Sequence, residues 1–361
     1  LNIHSAQIIL PTSDLNAALE FLTTQLGFRL EMIMPADSPV IADISGHGLS
    51  IRLAKRENPA PNVVLRLLCT YKFREKFPDH IFLAPGGIRI ELVEHPAPVI
   101  LPPAAAQEFV LTRAADDNAW SQGRSGMQYR DLIPGKIGGR FIASHIRIPN
   151  GGETADYVHY HRVRFQMIYC LSGWARVVYE DQGPPFIMNA GDCILQPPEI
   201  RHRVLETSAG LEVIEIGCPA VHETFTDHDT PLPTTEYKPE RLFDGQRFLH
   251  YTATGAEWDT GSAEGFEIRD TGMLQATQGL ARVRVIGNLP RNKARLSCKH
   301  GGEFLFLYIL EGGGEIGGDE LGEHSLQTGD CCTIPPGVDC EIMAGEGFQM
   351  LEIFIEKMDR T

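Results

Sequence analysis

Hydrophobic and polar positions alternate differently in two parts of the chain. In residues 2–95 a single helical stretch interrupts a series of short strands. Residues 6–10 read as a strand, and Thr12-Ser13-Asp14 offers N-cap side chains. Leu15, Ala18, Leu19, Leu22 and Leu26 then recur at helical spacing, and Gly27 suits a helix end. Short strands are expected at 28–33, 40–44, 49–53, 63–68 and 88–93. Residues 96–130 are Pro/Ala-rich and then polar, which predicts a linker with one short helix near 104–109. From Arg140 onward only short strands recur, at roughly 8–12-residue spacing with Gly, Pro or Asn between them, the pattern of a sandwich or barrel.

This second part repeats itself. FQMIYCLSG (165–173) matches FLFLYILEG (304–312), AGDCILQPP (190–198) matches TGDCCTIPP (328–336), and GLEVIEIG (210–217) matches GFQMLEIFI (347–355). Gly173 and Gly312 are 139 residues apart, and Gly191 and Gly329 are 138 apart. A shared offset over a whole module predicts two homologous β barrels in tandem. The division expected is a module at 1–95, a linker at 96–130, a barrel at 131–230, a connector at 231–260 and a second barrel at 261–361.

Composition narrows the function. Of 361 residues 43% are hydrophobic and 22% charged, enough apolar material for ordinary cores. A formal charge of −15 makes phosphate backbones and anionic membranes poor partners. No apolar run approaches the roughly 20 residues that span a bilayer, and the start lacks the pattern of a secretory signal. Eight cysteines are too sparse for a disulfide framework. They read as reduced thiols of a cytoplasmic protein.

The chemistry concentrates in HYHRVRFQMIYCLSG (159–173). His159 and His161, two apart on a strand, share a face, and His202 follows GDCILQPPEI. Three imidazoles converging inside a barrel suit Fe(II), Mn(II), Ni(II), Cu(II) or Zn(II). Gln166, Ile168 and Cys170 share inward parity, and Tyr157, in register with the two histidines, is placed at the entrance. Arg162, Arg164, Arg201 and Arg203 alternate with the ligands and are expected to point outward, as surface or interface cations or toward a barrel mouth.

These residues resemble the cupin family. Gly152 or Gly151, His159-x-His161, four residues, Gln166, six residues and Gly173 follow the spacing of its first motif. Gly191, five residues, Pro197-Pro198-Glu199, two residues and His202 follow its second. Gln166 stands where the carboxylate usually sits, and Glu199 replaces a glycine. The resemblance implies a mainly β fold of two tandem jelly-roll barrels and one divalent metal ion per chain, held by His159, His161 and His202. With a neutral Gln166 it is similar to three-His iron dioxygenases. A non-haem Fe(II) dioxygenase acting on a small carbonyl- or hydroxyl-bearing substrate is therefore the leading expectation, with Gln166 and Tyr157 as candidate catalytic residues. Zn, Mn or Ni in a Lewis-acid isomerase, hydratase or hydrolase without O₂ is the alternative, and a non-catalytic ligand sensor a further one. Unpaired barrel edges predict a homodimer.

Shifted by the repeat, the metal positions fall on Cys298, His300 and Cys340, and Gln166 on Leu305. Cys298, His300 and Cys340 could form a Cys₂His zinc site, the two thiols a disulfide, or all three simply pack. The strand–helix–strands order of residues 1–95, with LGFRL after the helix and GGIRIELVE at its end, resembles the glyoxalase, or vicinal-oxygen-chelate, fold. That resemblance makes His4 and Glu91 candidate ligands, alongside the reading that both are surface or packing residues.

Overall fold

The computed structural model describes residues 3–25, 27–46, 48–56, 64–77, 79–83, 89–94, 99–116, 120–123, 126–260, 264–288 and 294–357. The chain is mainly β and divides into two units. The first comprises Leu1–Ile100, Tyr157–Arg162 and Val221–Thr230, and the second the remainder.

In the first unit, Ile3–Thr12 pairs in parallel with Leu49–Lys55 and antiparallel with Val64–Cys69. Ile41–Gly46 and Arg29–Met34 extend the sheet on one side, and Arg89–Glu94 and Ile81–Leu83 on the other. The expected helix opens as predicted: Asp14 accepts a hydrogen bond from the Ala17 N–H at 3.0 Å. It is α-helical only over Leu15–Glu20 and widens to a π turn over Phe21–Gln25. Thr23 and Thr24 donate their hydroxyls to the Leu19 and Glu20 carbonyls, drawing acceptors away from the regular ladder. Leu15, Ile33, Ala42, Ile44, Ile51 and Leu53 form the core beneath it. The short strand His159–His161 pairs with Thr224–Thr226, which pairs in turn with Arg29–Met34.

The second unit holds two barrels. In the first, a seven-stranded sheet runs Leu249–Tyr251, Cys193–Leu195, Phe165–Ser172, Leu211–Cys218, Ile142–Ile148, Gln128–Asp131, Ser121–Gln122. Phe186–Asn189, Trp174–Tyr179 and His202–Thr207 pair in that order on its opposite side. In the second, a six-stranded sheet runs Phe266–Asp270, Ala281–Asn288, Gln349–Ile355, Phe304–Glu311, Cys331–Thr333, Val110–Thr112. It faces a sheet of Arg295–Ser297, Glu341–Ala344, Gly313–Gly318 and Gly322–Gln327.

Each barrel takes one strand from the segment preceding the other. Val110–Thr112, in the stretch expected as a linker, pairs with Cys331–Thr333 of the second barrel. Leu249–Tyr251, in the expected connector, pairs with Cys193–Leu195 of the first. The repeated Gly-Asp-Cys motif fastens both strands. Asp192 accepts from the Ala253 N–H at 2.9 Å, and Asp330 from the Ala114 N–H at 2.8 Å. Gly191 and Gly329 have φ of +89° and +85°, and a Cβ at either would stand 2.9 Å from the Ala253 or Ala114 methyl. Only glycine meets both demands there.

The barrels share one core. Phe165, Met167, Ile214 and Ile216 of the first pack with Phe304, Phe306, Leu351 and Ile353 of the second. Phe141 and Phe304 stack with ring centroids 4.3 Å apart. Arg164 does point away from its barrel's interior, but that outer face is covered by the second barrel. There it meets Glu303 at 2.7 Å, and Arg140 binds the same carboxylate. Glu303 occupies the repeat position equivalent to Arg164.

Candidate metal centre

His159, His161 and His202 are all buried, and their donor nitrogens lie within 4.8 Å of one another. They are the one group of three or more His, Cys, Asp or Glu side chains so gathered among the described residues.

Local structure fixes each ring. His159 Nδ1 faces the Tyr157 carbonyl at 2.8 Å, and His202 Nδ1 faces the Ile200 carbonyl at 3.0 Å. A carbonyl only accepts, so in both rings Nδ1 carries the proton and Nε2 keeps the lone pair. His161 Nδ1 lies 2.9 Å from the Thr224 hydroxyl, which orients that ring. Such partners orient an imidazole and raise its basicity toward a metal. Three imidazoles oriented in this way fit a first-row divalent ion.

Around the trio, the Tyr179 ring stacks on His202 with centroids 5.4 Å apart, and the Gln196 amide donates to the Tyr179 oxygen at 2.8 Å. Burial pushes the Tyr179 phenol well above its usual range, so it remains a neutral donor. Tyr157 lies edge-on to His159 at 5.8 Å, and His222 edge-on to His161 at 5.4 Å. Gln166 is 1% exposed and donates its amide to Glu215. Its Oε1 is buried without a hydrogen-bond partner.

Glu215, Thr224, Tyr179, Gln196 and His222 were missed by the sequence reading. Glu215 alone carried a signal. It is a carboxylate within an apolar strand, and its repeat counterpart is Glu352.

The turn before His202 is strained at one residue. Glu199 takes φ +61°, and its counterpart Gly337 takes +85°, so the position is left-handed whichever residue fills it.

In the second barrel Cys298 and Cys340 are free, buried thiols, and Cys298 donates its S–H to the Leu296 carbonyl at 3.7 Å. His300 instead donates Nε2–H to the Ile334 carbonyl at 2.8 Å and sits edge-on to Phe354. The Cys₂His set is thus not assembled as a ligand group. In the first unit Glu91 is level with Arg66 and Gln7 across the sheet and lies 3.6 Å from the Arg66 guanidinium. His4 is exposed, three positions further along and two strands away, more than about 10 Å distant. The structure does not bring His4 and Glu91 together.

Residues 144–217 match the family model of the cupin domain. That match spans the strands around the metal centre. Among solved structures, the chain is similar to the protein Ylba of E. coli, with 14% identity and a TM-score of 0.50 over 72% of this chain and 96% of that one. It is similar to the oxalate decarboxylase of Bacillus subtilis, in a study of its Mn(II) centres, with 14% identity and a TM-score of 0.51 over 71% of this chain and 78% of that one. At such identities the likeness concerns the fold alone. No curated protein matches the sequence. No helix among the described residues is long and apolar enough to cross a membrane. The glyoxalase resemblance of residues 1–95 finds no counterpart among these matches.

Proposed function

We propose that His159, His161 and His202 hold one divalent metal ion and that the protein is a metal-dependent cupin enzyme, a three-His non-haem Fe(II) dioxygenase acting on a small oxygen-bearing substrate. The observation that carries this reading is the buried group of three oriented imidazoles with no carboxylate among them. A bound ion of this kind supplies Lewis acidity and one-electron chemistry toward O₂. Gln166 presents its unpartnered Oε1 as a buried acceptor for a hydroxyl of the substrate, while Glu215 fixes the amide. The apolar wall of Ile168, Ile194, Ile200 and Val213 excludes water around the reacting molecule. Tyr157 lines the approach.

Glu215 favours a second reading. A carboxylate in the barrel wall beside Gln166 is a proton acceptor, which an isomerase or hydratase needs. Mn(II) suits that chemistry, and a fold neighbour holds Mn(II).

The test is elemental analysis of the purified protein, followed by substrate screens with and without O₂. Iron with substrate-linked O₂ uptake supports the dioxygenase. Manganese or zinc with turnover under anaerobic conditions supports the second reading. Tight ligand binding without turnover makes the protein a binding module.

A further inference from the structure

The second barrel carries its own reactive pair. Cys298 and Cys340 occupy the repeat positions of His159 and His202. The barrel has kept the convergence of those positions and changed the side chains from imidazoles to thiols. Strands Arg295–Ser297 and Glu341–Ala344 run antiparallel with Ser297 opposite Glu341, so the next pair inward is Cys298 opposite Cys340. The Cys298 N–H donates to the Cys340 carbonyl at 2.9 Å, which marks a directly opposed, hydrogen-bonded pair. Such pairs have Cα atoms about 5.5 Å apart, inside the roughly 4.4–6.8 Å that a disulfide spans. Both side chains face the same barrel core, so the spacing suits the bond.

In that core Cys298 is 6% and Cys340 3% exposed. A bulky anionic disulfide such as oxidised glutathione is therefore disfavoured, and a small neutral hydroperoxide is the oxidant that fits. The neighbouring Cys298 thiol holds the Cys340 thiol below its usual range, which favours Cys340 as the attacking sulfur.

We propose that Cys298 and Cys340 form a reversible dithiol–disulfide site oxidised by hydrogen peroxide. The Cys340 sulfur attacks one peroxide oxygen, the O–O bond breaks, and Cys340 becomes a sulfenic acid with release of one water. Cys298 sulfur then displaces the hydroxyl, forming the S–S bond and releasing a second water. Two thiols lose two electrons and two protons, and one peroxide becomes two waters. A small dithiol reductant reverses the reaction. The product staples Arg295–Ser297 to Glu341–Ala344 and leaves the first-barrel trio untouched.

The experiment treats the full chain with hydrogen peroxide, blocks remaining thiols, and identifies linked peptides by mass spectrometry before and after dithiothreitol. The expected result is one intramolecular 298–340 link, loss of two of the eight free thiols, and full recovery on reduction. Cys298→Ser and Cys340→Ser should abolish the link, and Cys332→Ser, at a neighbouring buried thiol, should retain it. Oxidised glutathione at equal concentration should react at least about tenfold more slowly. A link through Cys332, irreversible oxidation of Cys340 without a link, or no thiol loss at all would overturn the proposal. None of these outcomes depends on metal in the first barrel, so this proposal and the metal assignment fail separately.

Discussion

The two barrels share strand order, turn geometry and a common core, yet their interiors have diverged in opposite chemical directions. Gln196 N–H donates to the Gln166 carbonyl in the first, and Ile334 N–H to the Leu305 carbonyl in the second. The backbone bond is kept while both polar side chains become aliphatic. Glu215 lies opposite Ser144 and Ile168, and Glu352 lies opposite Arg284 and Leu307. In the first barrel the carboxylate meets an amide and a small hydroxyl-bearing neighbour strand. In the second it is held by Arg284 at 2.8 Å and Arg282 at 3.3 Å. One interior keeps groups that can act on a ligand, and the other satisfies its charge internally. The lesson is that loss of a site in a duplicated barrel need not disturb the frame. It takes only substitutions that fill space and pair the leftover charge.

The largest effect that can break this comparison is metal content. His161→Ala should lower metal affinity by more than about 100-fold, beyond what losing an outer partner alone costs. His300→Ala should leave total metal nearly unchanged, because its ring is committed to the Ile334 carbonyl. Equal losses from both variants, read by elemental analysis, would assign metal to both barrels.

Next in size is the contact between the halves. Glu303→Ala strands Arg140 and Arg164 in the shared core without their carboxylate, at a cost of roughly 3–5 kcal/mol. Urea unfolding should show this while metal content of the folded protein stays intact. A change under 1 kcal/mol would mean the pair is solvated.

A smaller effect separates ligand from neighbour. Gln166→Ala should keep its metal and lose about 10–100-fold in turnover. Gln166→Glu should behave differently, because the new carboxylate stands against Glu215. Two such groups share a proton, so the variant should bind Mn(II) more tightly only as pH rises above the ordinary carboxylate range. Metal titration at two pH values reads this directly. If Gln166→Ala releases metal as readily as His161→Ala, the amide is itself a ligand.

The smallest effect belongs to Thr224→Val. It removes the partner of His161 Nδ1 but keeps the side chain's shape, and should weaken metal binding about tenfold. An unchanged affinity would show that strand pairing alone orients the ring.

Much of this was legible in the sequence for stated reasons. The period-two placement of His159 and His161 and the fixed repeat offset are local properties of strands and of duplication. They led directly to the trio that the structure gathers. The left-handed turn at Glu199 had a signal that was not used, the glycine that the second repeat retains at 337. What was hidden depends on what covers a face. Parity placed Arg164 outward, but no spacing rule reveals that a second barrel lies there with Glu303. Thr224 is more than 60 positions from His161 and could not be linked to it by pattern. The stretches around Val110–Thr112 and Leu249–Tyr251 read as connections because a three-residue strand carries too little periodicity to register.

The reciprocal loan of those two strands has a consequence for how the protein is made. Leu111 pairs with Cys332 across roughly 220 residues of chain, so the sheet of the second barrel closes only when the start and the end of this unit meet. Neither barrel is complete as a contiguous stretch of polypeptide. During synthesis the first barrel waits for Leu249–Tyr251 to emerge, while Val110–Thr112 waits for Cys331–Thr333. Assembly is thus weighted toward late, long-range events, which slow folding. Once formed, opening one barrel exposes an edge of the other. The pair should therefore melt together, as a single cooperative transition, although the sequence divides it into two repeats.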